Sequence, residues 1–102
     1  MPNVKLFVEH KLTEDEAVER LKTGIQDLLN KFGSKIKKSK YDWVGNCATF
    51  FIQGPMMLKV SGTITVEPRR VFIDLDYPAI GIKYIGQAEV LIIGKLEEIL
   101  KP

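Results

Sequence analysis

The sequence predicts an α+β fold in the order β-α-β-β-β-β-α, with two helices packed on one face of an antiparallel sheet of about five strands. Three observations carry this. Tyr41 to Tyr77 alternates apolar and polar residues through successive chain reversals. Thr13 to Gly33 has a capping signal, apolar residues at helical spacing and a glycine stop. The segment from about Tyr84 to Lys101 returns to helical spacing after Pro78 and Gly81.

Val4, Leu6 and Val8 alternate with Lys5, Phe7 and Glu9, the pattern of a half-buried strand. Thr-Glu-Asp-Glu at Thr13 to Glu16 is a capping box, in which Thr13 caps the Glu16 amide while the Glu16 side chain reaches back. Glu14, Asp15 and Glu16 also complement the positive end of the helix dipole. Ala17, Val18, Leu21, Ile25, Leu28, Leu29 and Phe32 form one apolar stripe, and Gly33 follows as a left-handed stop. Ser34 to Lys40 reads as a basic linker into the sheet.

Gly45-Asn46 is a two-residue hairpin signal, because glycine at the first central position supplies the positive φ that the turn needs. That turn sets Val44 opposite Cys47, Trp43 opposite Ala48 and Tyr41 opposite Phe50. Gly54-Pro55 and Glu67 to Arg70 mark the next reversals. Parity then gathers Tyr41, Trp43, Ala48, Phe50, Ile52, Met56, Leu58, Val60, Gly62, Ile64, Val66, Val71, Ile73, Leu75 and Tyr77 on one face. The other face is largely polar, with Asp42, Thr49, Lys59, Ser61, Thr63, Thr65, Asp74 and Asp76. Both helices must therefore cover the first face. Ala79 to Ile85 has no assignable pattern. In the last helix Ile85, Ala88, Ile92, Leu96 and Ile99 share one side, with Ile93 and Leu100 beside it.

With 102 residues, 45% hydrophobic and 27% charged, the chain fits a single α+β domain over residues 1–102, with no second domain or deep enclosed active site. The longest apolar run, Val90 to Ile93, is far short of the roughly 20 residues of a transmembrane helix. Charged sequence by Glu9 leaves no basic-then-apolar leader. A lone Cys47 excludes an internal disulfide and fits a reducing, cytoplasmic setting. Net charge +2 is too balanced to imply a nucleic-acid partner. Lys35, Lys37, Lys38, Lys40, Arg69 and Arg70 could form a basic rim near aromatics, but Tyr41, Trp43 and Phe50 face the core, so no nucleic acid is expected.

No constellation for catalysis stands out, and neither a cofactor nor a metal is expected. Cys47 has only His10 as a potential partner, and a small residue beside a hairpin accounts for it. His10 continues the inward parity of Val8 and fits a packed or hydrogen-bonded histidine. One His and one Cys cannot supply the three or four ligands of a zinc site. Asp74 and Asp76 share a wet sheet face, which explains them without acid–base chemistry. No glycine-rich phosphate loop opens a helix.

The parity that buries Val8, Phe50 and Ile73 also turns Phe7, Val44, Phe51, Met57 and Phe72 outward, a candidate apolar contact surface. Val90 and Leu91 lie off the main stripe of the last helix and form a second candidate contact. Between sheet and helices, Met56, Tyr77 and Tyr84 form a candidate inner ligand groove.

Several short motifs resemble the polyhydroxyalkanoic acid system family, small bacterial proteins encoded near polyester storage-granule genes. They are Glu9 to Leu12, Glu16-Ala17 opening a helix that ends Phe32-Gly33, Trp43-Val44-Gly45, Phe50-Phe51, Gly62 to Val66, Val71 to Leu75 and Leu96 to Leu100. Gly54 to Met57 and Tyr77 to Gly86 depart from the pattern. The resemblance implies a helix-grip-like fold and an association with polyhydroxyalkanoate metabolism or granules; it brings no established activity and no catalytic residues. Its positions suit fold-keeping, with Trp43 filling the core, Gly45 turning the hairpin and Gly62 admitting close helix approach.

Two readings follow. One is a non-enzymatic accessory protein of the cytoplasm or granule that binds an apolar surface, a granule or a lipid-like hydrophobic ligand linked to polyhydroxyalkanoate storage. The other is a homodimeric adaptor, with no small-molecule ligand, whose sheet face or last helix pairs with a copy of itself. A hydroxyacyl-directed enzyme would have only Asp74, Asp76, His10 and Tyr77 to work with, and no enzymatic activity is expected.

Overall fold

A computed structural model describes residues 3–31, 33–54, 59–78 and 85–102, apart from the side chains of 35 and 85–88. The elements are β1 (Asn3–Glu9), α1 (Glu14–Lys31), a 3₁₀ turn (Gly33–Lys35), β2 (Lys38–Val44), β3 (Cys47–Gln53), β4 (Lys59–Val66), β5 (Arg70–Asp76) and α2 (Ile85–Ile99). The five strands form one antiparallel sheet in the order β1-β5-β4-β3-β2. Both helices cover its apolar face, α2 against β1 and α1 against β4, and the helices meet where Ile99 lies against Gly24.

Local signals account for most boundaries. The Glu16 amide donates to Thr13 Oγ1 at 3.1 Å, and the Thr13 hydroxyl donates to Glu16 Oε1 at 3.0 Å. The capping carboxylate thus reaches back to the hydroxyl, holding the cap oxygen toward the helix. Thr13→Ala is expected to destabilise the protein by about 1 kcal/mol, read as a lower urea midpoint at unchanged slope. Arg20 donates to the carbonyls of Ile99 (3.4 Å) and Lys101 (2.6 Å), so a cation from α1 serves the carboxyl end of α2. The basic linker is shorter than the sequence suggests: the 3₁₀ turn ends at Lys35, and β2 begins at Lys38.

Gly45 has φ +61°, as the hairpin requires, and Val44 pairs with Cys47 as expected. Asn46 contributes more than a turn residue usually does. Its carbonyl accepts from the Val66 amide at 2.8 Å and its side-chain amide donates to the Val66 carbonyl at 2.6 Å, which pins the hairpin to β4.

Gly62 has a different role from the one expected of it. A Cβ there would lie 2.0 Å from the Asp74 carbonyl oxygen and 3.1 Å from Phe50 Cζ. The close approach is therefore between neighbouring strands within the sheet, and not between sheet and helix.

The buried core comprises Leu6, Val8, Leu12, Ala17, Val18, Leu21, Ala48, Ile64, Val66, Val71, Ile73, Leu75, Leu96 and Leu100. Inward parity holds on every strand, and Trp43, Val60 and Ile73 all join the helix-covered side. Leu12, in the β1–α1 connection, is a core residue that lies outside every described strand and helix.

Candidate functional site

Strand register sorts the inner face into transverse rows. Val8, Val71 and Val66 form the first and are all buried. Leu6, Ile73, Ile64 and Ala48 follow, also buried, and end at half-buried Trp43 on β2. In the third row Leu75 is buried, while Val4, Gly62, Phe50 and Tyr41 are only half-buried. The last row holds half-buried Val60 and Ile52 beside exposed Ser39. Among the described residues, the core is thus most buried at the Val66–Val71 end and less so toward Ile52 and Val60.

Helix α1 repeats this gradient. Ala17, Val18 and Leu21 are buried, whereas Ile25, Leu28 and Leu29 are half-buried. Lys22 Nζ sits 5.9 Å from the Trp43 ring centroid, and the Tyr41 hydroxyl donates to Gln26 Oε1. Four residues along a helix span about 6 Å, close to two residues along a strand, so α1 runs beside β2 in the opposite direction. Gln26 is itself held by its amide donating to Asn30 Oδ1 at 3.0 Å. In α2, likewise, Leu96 and Leu100 are buried while Ile92 and Ile93 are half-buried. Among the described residues, both helices therefore press on the sheet at one end and bury it less at the other, so that the covered interior tapers like a wedge.

One polar group stands out beside this wedge, at the end of the buried second row. Trp43 Nε1 is buried and has no hydrogen-bond partner among the described residues. Such a donor is uncommon, since nearly all buried polar atoms are paired. Of the inner-groove candidates, Tyr77 is half-buried just past β5, and continued alternation sets it beside Val60. Met56 and Tyr84 lie outside the described residues. The sequence marks Trp43 as a core aromatic; its unpaired N–H follows from its place on an edge strand beside the helix, which no local pattern encodes.

The outer candidates do not gather into one patch. Phe7 and Phe72 pack with ring centroids 6.2 Å apart, and the Arg70 guanidinium lies 5.5 Å from the Phe7 centroid. Their row continues through Thr65 and Cys47 to exposed Val44 at the far edge. Phe51 falls in another row with Lys40, Ser61, Asp76 and Asn3 and is half-buried. Between the two rows run Lys5, Asp74, Thr63, Thr49 and Asp42. Beside Phe72 is a shallow hollow of about 200 Å³ lined by Lys5, Thr63, Thr65 and Asp74. Met57 lies outside the described residues. Val90 and Leu91 are well exposed on α2.

The residues weighed for chemistry have structural partners. His10 is buried, with Nδ1 accepting from the Leu12 amide at 3.2 Å and Nε2 lying 2.7 Å from the Glu67 carbonyl. An acceptor Nδ1 leaves Nε2 to carry the proton toward that carbonyl, so the ring clamps the β1–α1 connection to the β4–β5 turn. Asn3 Nδ2 donates to Asp74 Oδ1 and, at 2.8 Å, to Asp76 Oδ1, bridging the two carboxylates. Cys47 Sγ is 3.8 Å from Thr65 Oγ1. No described helix is long and apolar enough to cross a membrane.

The architecture is similar to that of TTHA0849 from Thermus thermophilus (TM-score 0.67, 16% identity, 97% of each chain covered). It is also similar to Ara h 8.0201 (TM-score 0.56, 11% identity, 97% of each chain covered). At these identities the likeness is one of fold, the helix-grip arrangement of a sheet wrapped on helices. Comparison with curated proteins gives no match. The sequence profile of the family described as "Putative polyhydroxyalkanoic acid system protein" matches residues 4–100. That span takes in β1, the wedge and α2, and the chain belongs to this polyhydroxyalkanoic acid system family.

Proposed function

We propose that this protein is a non-enzymatic accessory of polyhydroxyalkanoate storage that holds a hydrophobic ligand in the open half of its interior. The observation that carries this reading is the fall in burial along the sheet, from the closed Val66–Val71 end to half-buried Phe50, Ile52 and Val60. Apolar side chains turned inward yet only half-buried suit a small-molecule site, whose lining is mostly apolar. The Trp43 N–H, unpaired among the described residues, lies one row toward the closed end and supplies a donor at the border of that space, suited to an ester or hydroxyl oxygen on an otherwise apolar chain. Hydroxyacyl chains derived from a storage polyester have that chemistry, and family membership supports the setting.

An inner site accounts for these features better than binding through the outer sheet face. The polar row from Lys5 to Asp42 separates Phe7 and Phe72 from Phe51. A polymer surface laid on that face would have to desolvate Asp74 and Asp42.

Trp43 is the single tryptophan and borders the wedge, one row from Tyr41 and Phe50, so its emission reports on that neighbourhood. Titration with medium-chain 3-hydroxyacyl esters should give a saturable change in emission. Val60→Phe, which fills the wedge, should abolish it while leaving the circular dichroism spectrum intact. No saturable change up to ligand solubility, together with failure to sediment with isolated granules, removes the proposal.

A further inference from the structure

We propose that β1 is a self-complementary edge through which two copies of this chain join their sheets. This does not rest on the ligand reading above. β1 is terminal in the strand order, with β5 on one side and no described strand on the other. An edge of this kind presents unpaired backbone groups to a second strand.

The hydrogen bonding fixes which groups those are. His10 continues the β1–β5 register opposite Arg69, and its amide donates to the Arg69 carbonyl at 2.9 Å. Directly opposed residues that exchange such bonds recur at every second position of an antiparallel ladder. The even-numbered residues Val4, Leu6 and Val8 therefore turn their N–H and C=O groups toward β5. Lys5, Phe7 and Glu9 turn theirs to the open side, and their side chains lie on the outer sheet face.

An antiparallel copy centred on Phe7 uses all of these groups. Phe7 lies opposite Phe7 of the second copy, and Lys5 lies opposite Glu9 of the second copy, a contact the two-fold axis repeats. A register centred on Leu6 would instead set Lys5 against Phe7 and Glu9 against Asn3, leaving both charges unmatched. The Phe7-centred pairing also explains the exposed aromatic pair. Phe7 is 54% and Phe72 37% exposed, and the pairing joins them to their counterparts in one row across both sheets. Cross-strand aromatic and opposite-charge pairs are the contacts that stabilise strand pairing. The opposite edge, β2, offers Lys38, Lys40 and Asp42 on its outer face and has no aromatic centre.

The test is sedimentation equilibrium with amide hydrogen exchange. The protein should be dimeric at about 100 µM, an ordinary concentration for a modest interface. On concentration from the dilute monomer, the amides of Lys5, Phe7 and Glu9 should become protected, while those of Leu6 and Val8 are protected throughout. Phe7→Lys should give a monomer whose melting curve matches that of wild type at a dilution where wild type is also monomeric. Lys5→Glu should raise the dimer dissociation constant by about tenfold or more, and adding Glu9→Lys should restore association. A monomer at about 100 µM overturns the proposal. So does a dimer that survives Phe7→Lys but is lost in a Val90→Lys, Leu91→Lys variant, which would place the contact on α2.

Discussion

Gly62→Val is expected to destabilise the protein by about 3 kcal/mol or more, because its new carbon atoms have no space to enter. The Cβ position lies 2.0 Å from the Asp74 carbonyl oxygen, far inside van der Waals contact, and that oxygen belongs to the backbone of a strand paired on both sides. A flexible side chain could swing away; a central β-strand cannot move without disturbing its pairing with β1 and β4. For a domain of this length such a loss lowers the melting temperature by roughly 12 °C or more. Gly94→Ala provides the contrast. A Cβ at Gly94 meets nothing within 4 Å on an exposed helical position, so alanine should stabilise by about 0.5–1 kcal/mol through lower unfolded-state entropy. Denaturant unfolding of both variants checks the pair. A Gly62→Val protein within about 1 kcal/mol of wild type would mean that the strands do not approach as closely as described.

Leu21→Ala should cost about 2–5 kcal/mol, and the same truncation at Leu28, two turns further along α1, markedly less. Leu21 is fully buried against the closed end of the sheet, so its removal leaves a cavity that packed neighbours cannot fill. Leu28 is half-buried over the open end, where the removed atoms were already partly in water. The two substitutions share chemistry and helix, so their difference isolates the taper of the interior. Equal losses would refute the wedge and, with it, the space assigned to a ligand. A saturating hydrophobic ligand should raise the stability of wild type and Leu21→Ala alike, by an amount that grows with its concentration.

Much of the fold is legible in the residue order because its signals are local. Thr13 and Glu16 start α1, Gly45-Asn46 fixes the β2–β3 register, and two-residue alternation assigns each strand residue to a face. The family motifs were legible too, since they consist of these same turns, caps and strand cores. Other features were not local. Phe7 and Phe72 are 65 positions apart, and nothing near either one says that β1 pairs with β5. Alternation turned Phe51 outward with them, yet register put it in a different row, beyond Lys5 and Asp74. Gly62 carried a glycine signal whose partner, the Asp74 carbonyl, is set by how two strands approach each other.

Residue order alone is enough to say which side of every strand is apolar, where the helices begin, and that both cover one sheet face, because each depends on spacing within a few residues. It took the folded arrangement to show that, among the described residues, the helices bury the interior more at Val66 and Val71 than at Ile52 and Val60, and that β1 stands at the rim with its odd-numbered backbone groups outward. These depend on the angle between helices and sheet and on strand order, which arise from contacts between residues far apart in the chain.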